Sequence, residues 1–153
     1  MPSLVHGTAL VVGTTGLILV GPSGSGKSSL AVRLLAGALQ AGHFAALVGD
    51  DQVFVDWING RAIASAPETI RGMIELYGSG IGRMDTIGRA VLHFAVQPVT
   101  ANSSNRVPEE NGHWPAGSEQ ALPLHVMDRA VADPFAWLTV LISGFPIMGA
   151  FQV

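Results

Sequence analysis

Short apolar runs broken by Gly-rich turns fill the first hundred positions of this chain, and the period of each run assigns it an element. Ala9-Leu-Val-Val12 and Leu17-Ile-Leu-Val20, joined by Gly13-Thr-Thr-Gly16, read as a β-hairpin. From about Lys27 to Leu39 the period lengthens: Leu30, Leu34 and Leu35 fall on one face of a helix, and Gly42 supplies its stop. Ala45-Ala-Leu-Val48 is a further short strand, ending in Gly49-Asp50-Asp51. Val53–Ile58 and Arg61–Ala64 flank Asn59-Gly60, a dipeptide that suits the type I′ turn of a tight hairpin. Ser65–Arg71, with Pro67 and Glu68, reads as a turn or short helix, and Met73–Tyr77 runs into Gly78-Ser-Gly80. Ala90–Val99 has strand character, its Pro98 marking a strand end or an edge. Residues 100–121 are polar and rich in Asn, Ser, Gly and Pro, which predicts a long loop. Leu122–Val126 is a weak strand, and a helix begins after Asp133-Pro134. There is no internal repeat and no composition break, so the reading is a single α/β domain over residues 1–153, a mixed sheet with β-hairpins and a helix following a glycine-rich loop.

Composition narrows the classes. With 153 residues, 48% apolar and 12% charged, the chain can bury a core and is not a disordered segment. Eight Lys and Arg stand against eleven Asp and Glu, which gives no basic footprint for a nucleic acid. Cys is absent, which removes disulfides and thiolate metal sites and fits a reducing, cytoplasmic setting. The first twenty residues lack the cationic start and unbroken apolar core of a signal peptide. Pro134–Val153 carries no charge, yet Gly144, Pro146 and Gly149 interrupt it, so it reads as a buried final element or a subunit contact rather than a membrane anchor.

The chemistry is concentrated between the second strand and the first helix. Gly21-Pro-Ser-Gly-Ser-Gly-Lys-Ser28 fits G-x-x-x-x-G-K-[ST] at every fixed position, in the strand–loop–helix context that the phosphate-binding loop requires. Its glycines let successive N–H groups converge, and the following helix adds its positive end. Gly21, Pro22, Ser23, Gly24, Ser25, Gly26, Lys27 and Ser28 are thus the candidate nucleotide-binding residues. Lys27 is placed to meet the β/γ-phosphates and Ser28 to ligate magnesium. Asp50 and Asp51 close the strand after the loop's helix, where active-site acids sit in α/β sheets. Adjacent residues of an extended chain face opposite ways, which gives one acid to the metal and the other to the acceptor. His93, His113 and His125 lack metal-ligand spacing. Trp114 in the polar loop reads more readily as folded onto its own domain than as an anchor for a partner, and Glu109-Glu110 as a solvated pair.

Four segments together resemble the HPr kinase/phosphorylase family: His6-Gly7, the GPSGSGKS loop, Leu47-Val-Gly-Asp-Asp51 with Val53, and Glu75-Leu-Tyr-Gly-Ser-Gly80 preceded by Ser65-Ala-Pro. The resemblance covers residues 4–82 and, with the family pattern starting at His6 and no preceding domain, looks like the short α-proteobacterial form that consists of the C-terminal P-loop kinase domain only. It implies a fold of the HPr kinase/PEP carboxykinase-like type, ATP and Mg2+ as cofactors, and phosphorylation of a serine on the phosphocarrier HPr or a nitrogen-related homologue, with the reverse phosphorylase reaction. It implies a homo-oligomer as well. By resemblance Lys27 polarises phosphate and Ser28 with Glu75 holds magnesium. Asp51, with Asp50, deprotonates the acceptor, and His6 lies near the transferred phosphate. Tyr77 stands where the family's signature has arginine, and Arg129 is a candidate for a later family arginine. Two other functions fit the loop alone: a different P-loop small-molecule kinase or NTPase, and a nucleotide-sensing regulatory module that has lost efficient transfer.

Overall fold

A computed structural model describes residues 2–76, 78–100 and 112–148. The predicted first hairpin is present as β1 (Ser3–Val12) and β2 (Thr15–Val20), with a tighter turn than the sequence suggests because Thr15 and Gly16 are already paired. Ala9–Val12 of β1 and Leu17–Val20 of β2 are apolar on both faces. Leu10, Val12, Leu17 and Leu19 enter one core cluster, while Ala9, Val11, Ile18 and Val20 enter a second. Burial on two sides explains their continuous rather than alternating apolar pattern.

The other edge of β1 is shared. β3 (Ala45–Gly49) pairs antiparallel with Ala9–Val12, and β4 (Gln52–Ile58) pairs antiparallel with Ser3–His6. β3 and β4 thus run as one long strand interrupted at Asp50-Asp51. β4 turns through Asn59-Gly60 into β5 (Arg61–Ser65), as predicted. After a 3-10 turn over Glu68–Ile70, β6 (Met73–Leu76) and β7 (Gly80–Arg83) form a separate two-stranded ribbon. β7 escapes sequence reading because Gly80-Ile-Gly-Arg83 offers a single apolar side chain, and Ile81 is itself exposed.

β8 (Arg89–Val99) closes the main sheet. Its first half pairs antiparallel with β5, its opposite edge pairs parallel with β2, and so β2, β1, β4, β5 and β8 form a ring. At this seam Gly16 approaches β8 so closely that a Cβ on it would lie 2.0 Å from the Val91 carbonyl oxygen. Small residues, among them Ala9, Ala62, Ala64 and Ala95, fill the ring's interior with Ile18, Val53 and Leu92. β10 (Leu122–Asp128) adds to β8 in parallel, with Pro98 opposite Met127 near the end of β8. The predicted long loop hides a two-residue strand, β9 (His113–Trp114), on β10, and Trp114 packs on the second core cluster, folded onto its own domain as expected. Tyr77 and Glu109-Glu110 lie outside the described residues.

Two helices cover the ring's outer face. α1 (Lys27–Gln40) buries Leu30, Ala31, Leu34, Leu35 and Ala38. α2 (Pro134–Leu141) is capped by the Asp133 carboxylate, which accepts from Ala136 N at 3.0 Å. Phe135, Leu138, Ile142 and Phe145 enter the core as expected for a buried final element, while Trp137 and Val140 stay exposed. Among the described residues no helix is long and apolar enough to cross a membrane.

Candidate active site

β2 ends at Val20 and α1 starts at Lys27, so the eight-residue motif forms the turn between a strand of the ring and the helix that covers it. Gly21, Gly24 and Gly26 have φ of 138°, 80° and 98°, values that side-chain-bearing residues rarely adopt. Gly26 occupies the N-cap position and no side chain caps α1, which leaves the first-turn N–H groups open to an anion. Ser25 Oγ is buried inside the loop without a hydrogen-bond partner among the described residues, an orphan that a bound phosphate oxygen would satisfy.

Lys27 is buried, and its Nζ donates to the carbonyl oxygens of Gly21 at 2.7 Å and Pro22 at 3.0 Å. Burial pushes its pKa below the usual lysine value, while the carboxylates of Asp51 and Asp50 push it back up. Three donors converge on Asp50, which is buried. Oδ1 accepts from Thr8 Oγ1 at 2.7 Å and from Ser28 Oγ at 2.7 Å; Oδ2 accepts from Glu75 N at 3.0 Å. Asp51 is exposed, and its Oδ1 lies 3.1 Å from His6 Nε2. The same His6 nitrogen is 3.1 Å from Ser23 Oγ at the loop's tip.

The opposite facings predicted for the two acids assume an extended chain; here both acids meet the face of β1 that carries His6 and Thr8, one buried and the other exposed. The chain is not extended here: Asp51 has φ of 69°, and Gln52 N donates to Asp50 O at 2.8 Å. This is an interruption where one long strand jogs past β1, a device that re-aims side chains at a sheet edge. It sends Asp50 inward to Ser28 and Asp51 outward to His6.

Glu75 meets Asp50 through its backbone amide, and its residue lines a shallow cleft of about 180 Å³ with Asp50, Asp51, Met73 and Ile81. A hydroxyl and carboxylates are hard oxygen donors and fit Mg2+, which keeps waters and takes its remaining ligands from substrate phosphate. Among the described residues no three His, Cys, Asp or Glu side chains cluster into a self-sufficient metal cage. Arg71 and Arg83 are exposed on the ribbon side, whereas Arg129 Nη1 donates to Gly24 O at 3.2 Å. Thr8 is the site residue that the motifs missed. Its signal is position: it lies two residues from His6, hence on the same face of β1.

Residues 2–91 match the family model of the HPr Serine kinase C-terminal domain. The chain belongs to this family. It is 39% identical over 77 residues to the HPr kinase/phosphorylase of Clostridium tetani, a match covering 50% of this chain and 23% of that protein. It is 31% identical over 110 residues to the HPr kinase/phosphorylase of Clostridium beijerinckii, covering 72% of this chain and 32% of that one. The match thus spans a third or less of the length of these curated relatives. Its fold is that of the solved Hpr(Ser) kinase/phosphatase from Coxiella burnetii, with a TM-score of 0.68, 91% of this chain and 93% of that chain covered, and 21% identity. The P-loop kinase fold expected from the sequence is therefore the fold found.

Proposed function

We propose that this chain, acting as one domain, is an ATP- and magnesium-dependent serine kinase of the cytoplasm whose acceptor is the phosphocarrier HPr or a nitrogen-related homologue. The observation that carries the reading is the pair of acids beside the phosphate loop, one joined to the loop's Ser28 and the other turned out to His6. Phosphoryl transfer needs this division: oxygen ligands for a metal on the phosphate side and a proton acceptor on the substrate side.

In this mechanism the amides of Gly24–Lys27 and the buried Lys27 ammonium bind the β/γ-phosphates. Lys27 exchanges its present carbonyl partners for phosphate oxygens. Ser28 Oγ and the Asp50 and Glu75 carboxylates would hold magnesium, which supplies charge neutralisation at the phosphates when bound. Asp51, exposed and held by His6, takes the proton of the attacking serine hydroxyl, and returns one to that oxygen in the reverse reaction by microscopic reversibility. His6, touching both Asp51 and Ser23, aligns the acid with the loop. Most of the rate enhancement is positioning and fixed charge.

The test incubates the protein with γ-labelled ATP, Mg2+ and the carrier, beside a carrier whose acceptor serine is replaced by alanine. Label on the unmodified carrier alone, lost in Lys27→Ala, establishes the kinase. ATP turnover indifferent to the carrier overturns the acceptor assignment in favour of another P-loop kinase. Nucleotide and carrier binding without transfer overturns catalysis and leaves a nucleotide sensor.

A further inference from the structure

The tip of the phosphate loop is exposed at Pro22, Ser23 and Gly24, and glycines with positive φ give it little stiffness of its own. Two side chains reach it from elsewhere in the fold. His6 meets Ser23, and Arg129, far along the chain, meets Gly24. Arg129 also lies over Gly26: its Nε is 3.4 Å from where a Cβ on that glycine would stand.

Arg129 is itself held on every side of its backbone. Its N–H donates to Val99 O at 2.8 Å, at the end of β8. Its carbonyl accepts from Arg33 Nη2 at 2.7 Å, and Arg33 Nη1 donates to Val131 O. The turn between them is closed by Val131 N donating to Asp128 O at 3.1 Å and Ala130 N to Asp128 Oδ1 at 2.9 Å. Arg33 sits on α1, the helix that grows directly out of the loop. The contacts make a closed circuit: loop, α1, Arg33, the 128–131 turn, Arg129, and back to the loop. Arg129 falls outside the residues 2–91 that the family match covers.

We propose that Arg33 and Arg129 form a brace that holds the phosphate loop in its anion-binding shape before nucleotide arrives, Arg129 by gripping Gly24 and Arg33 by fixing the turn that carries Arg129. Both are positioning residues. A loop already ordered loses less entropy on binding, so the brace raises nucleotide affinity without touching the transferred group. That last consequence rests on the nucleotide-binding reading above; the brace itself does not.

The test therefore has two parts, made on the full chain with Arg129→Met, Arg129→Lys, Arg33→Met and the Arg33→Met/Arg129→Met double variant. The first is backbone relaxation of the Gly24 and Ser25 amides by NMR, without nucleotide. The brace predicts an order parameter near the rigid value of about 0.85 in the parent chain, falling toward about 0.6 in Arg129→Met and Arg33→Met. Arg129→Lys, still able to donate to Gly24 O, recovers most of the loss, and the double variant is no looser than Arg129→Met. Equal order parameters in parent and Arg129→Met overturn the brace, as does additive loosening in the double variant. The second part is ADP–Mg2+ affinity by calorimetry, with about tenfold weaker binding expected in Arg129→Met. Unchanged affinity in Arg129→Met, with the parent binding normally, overturns the link from brace to nucleotide. A parent chain that binds no ADP while the relaxation result holds leaves the brace standing and sinks the kinase reading instead.

Discussion

Asp50→Asn and Asp51→Asn make the same chemical change at adjacent positions, and they should fail in opposite ways. Asp50 is 6% exposed and accepts hydrogen bonds of 2.7, 2.7 and 3.0 Å from Thr8, Ser28 and Glu75. In Asn one of those oxygens becomes an NH2. If the NH2 faces Glu75 N–H, that half-buried donor loses its acceptor, at a cost of about 1–3 kcal/mol. If it faces the hydroxyls, both must turn round to accept. In either orientation the surviving bonds are neutral, and about half as strong as charge-assisted ones. Relief from holding a carboxylate in a buried site offsets part of this, leaving a net loss of about 2 kcal/mol. For a chain of this size that lowers Tm by about 4–8 °C. Asp51 is 58% exposed, with His6 Nε2 3.1 Å from its carboxylate, so Asp51→Asn should change stability by no more than about 0.5 kcal/mol. Transfer, by contrast, should be lost in both, and Asp50→Asn alone should abolish the Mg2+ dependence of ATP affinity. Thermal melts by circular dichroism and ATP titrations with and without Mg2+ read both effects. Equal Tm values for the two variants, or an Asp50→Asn protein whose ATP affinity still rises with Mg2+, would refute the assignment of the buried acid to the metal side.

Gly16→Ala puts a Cβ 2.0 Å from the Val91 carbonyl oxygen, so the ring must open at β2–β8; a loss of about 3 kcal/mol in urea unfolding is expected, and an unchanged midpoint would contradict the closure. Leu34→Ala, in the middle of α1's buried face, should cost about 2–5 kcal/mol by the same measurement. Burial, with Arg61 adding to it, lowers the pKa of His93 below 6.5, and its Nδ1 accepts from Gly16 N at 3.1 Å. The unfolded chain therefore binds a proton more readily than the folded one: stability is complete above about pH 6.5 and is lost as pH falls toward the lowered folded value. Unfolding free energies between about pH 7.5 and 5 should flatten in His93→Gln, with half-buried His125, shifted the same way, keeping its share of the slope.

What could be read in the sequence was what is encoded locally. The two hairpins, α1 and the phosphate loop each carry their own period or turn chemistry, and each lies within a residue or two of its predicted place, except that β1 starts at Ser3 rather than Ala9. The ring was not legible, because its closing pair, β2 with β8, joins segments that share nothing but apolar character, and the glycine that permits it looks like any turn residue. β3 and β4 read as separate strands because Asp50-Asp51 resembles a turn; only their common partner β1 shows them to be one strand with a jog. At the site, Lys27 and Ser28 were fixed by the motif, and His6, Asp50, Asp51 and Glu75 came from the resemblance and from strand ends. Arg33 carried no signal at all. On a helix surface an arginine is ordinary until the turn it reaches is known.

The same jog explains why the two acids can act together rather than compete. β1 presents His6 and Thr8 on one face, two residues apart, and each holds one acid: His6 holds Asp51 and Thr8 holds Asp50. Each acid or its partner then reaches a hydroxyl of the phosphate loop, His6 the tip at Ser23 and Asp50 the helix start at Ser28. The loop is thus tied to one strand by two parallel bridges, and the spacing of those bridges is set by the strand's own two-residue repeat. The interruption between β3 and β4 is what brings consecutive aspartates into register with alternate residues of β1. A straight strand would have turned one of them to the far face of the sheet. A single inserted kink therefore gives the site both a buried carboxylate against the loop's hydroxyl and an exposed one beside a histidine, and β6 adds the Glu75 amide to the buried one.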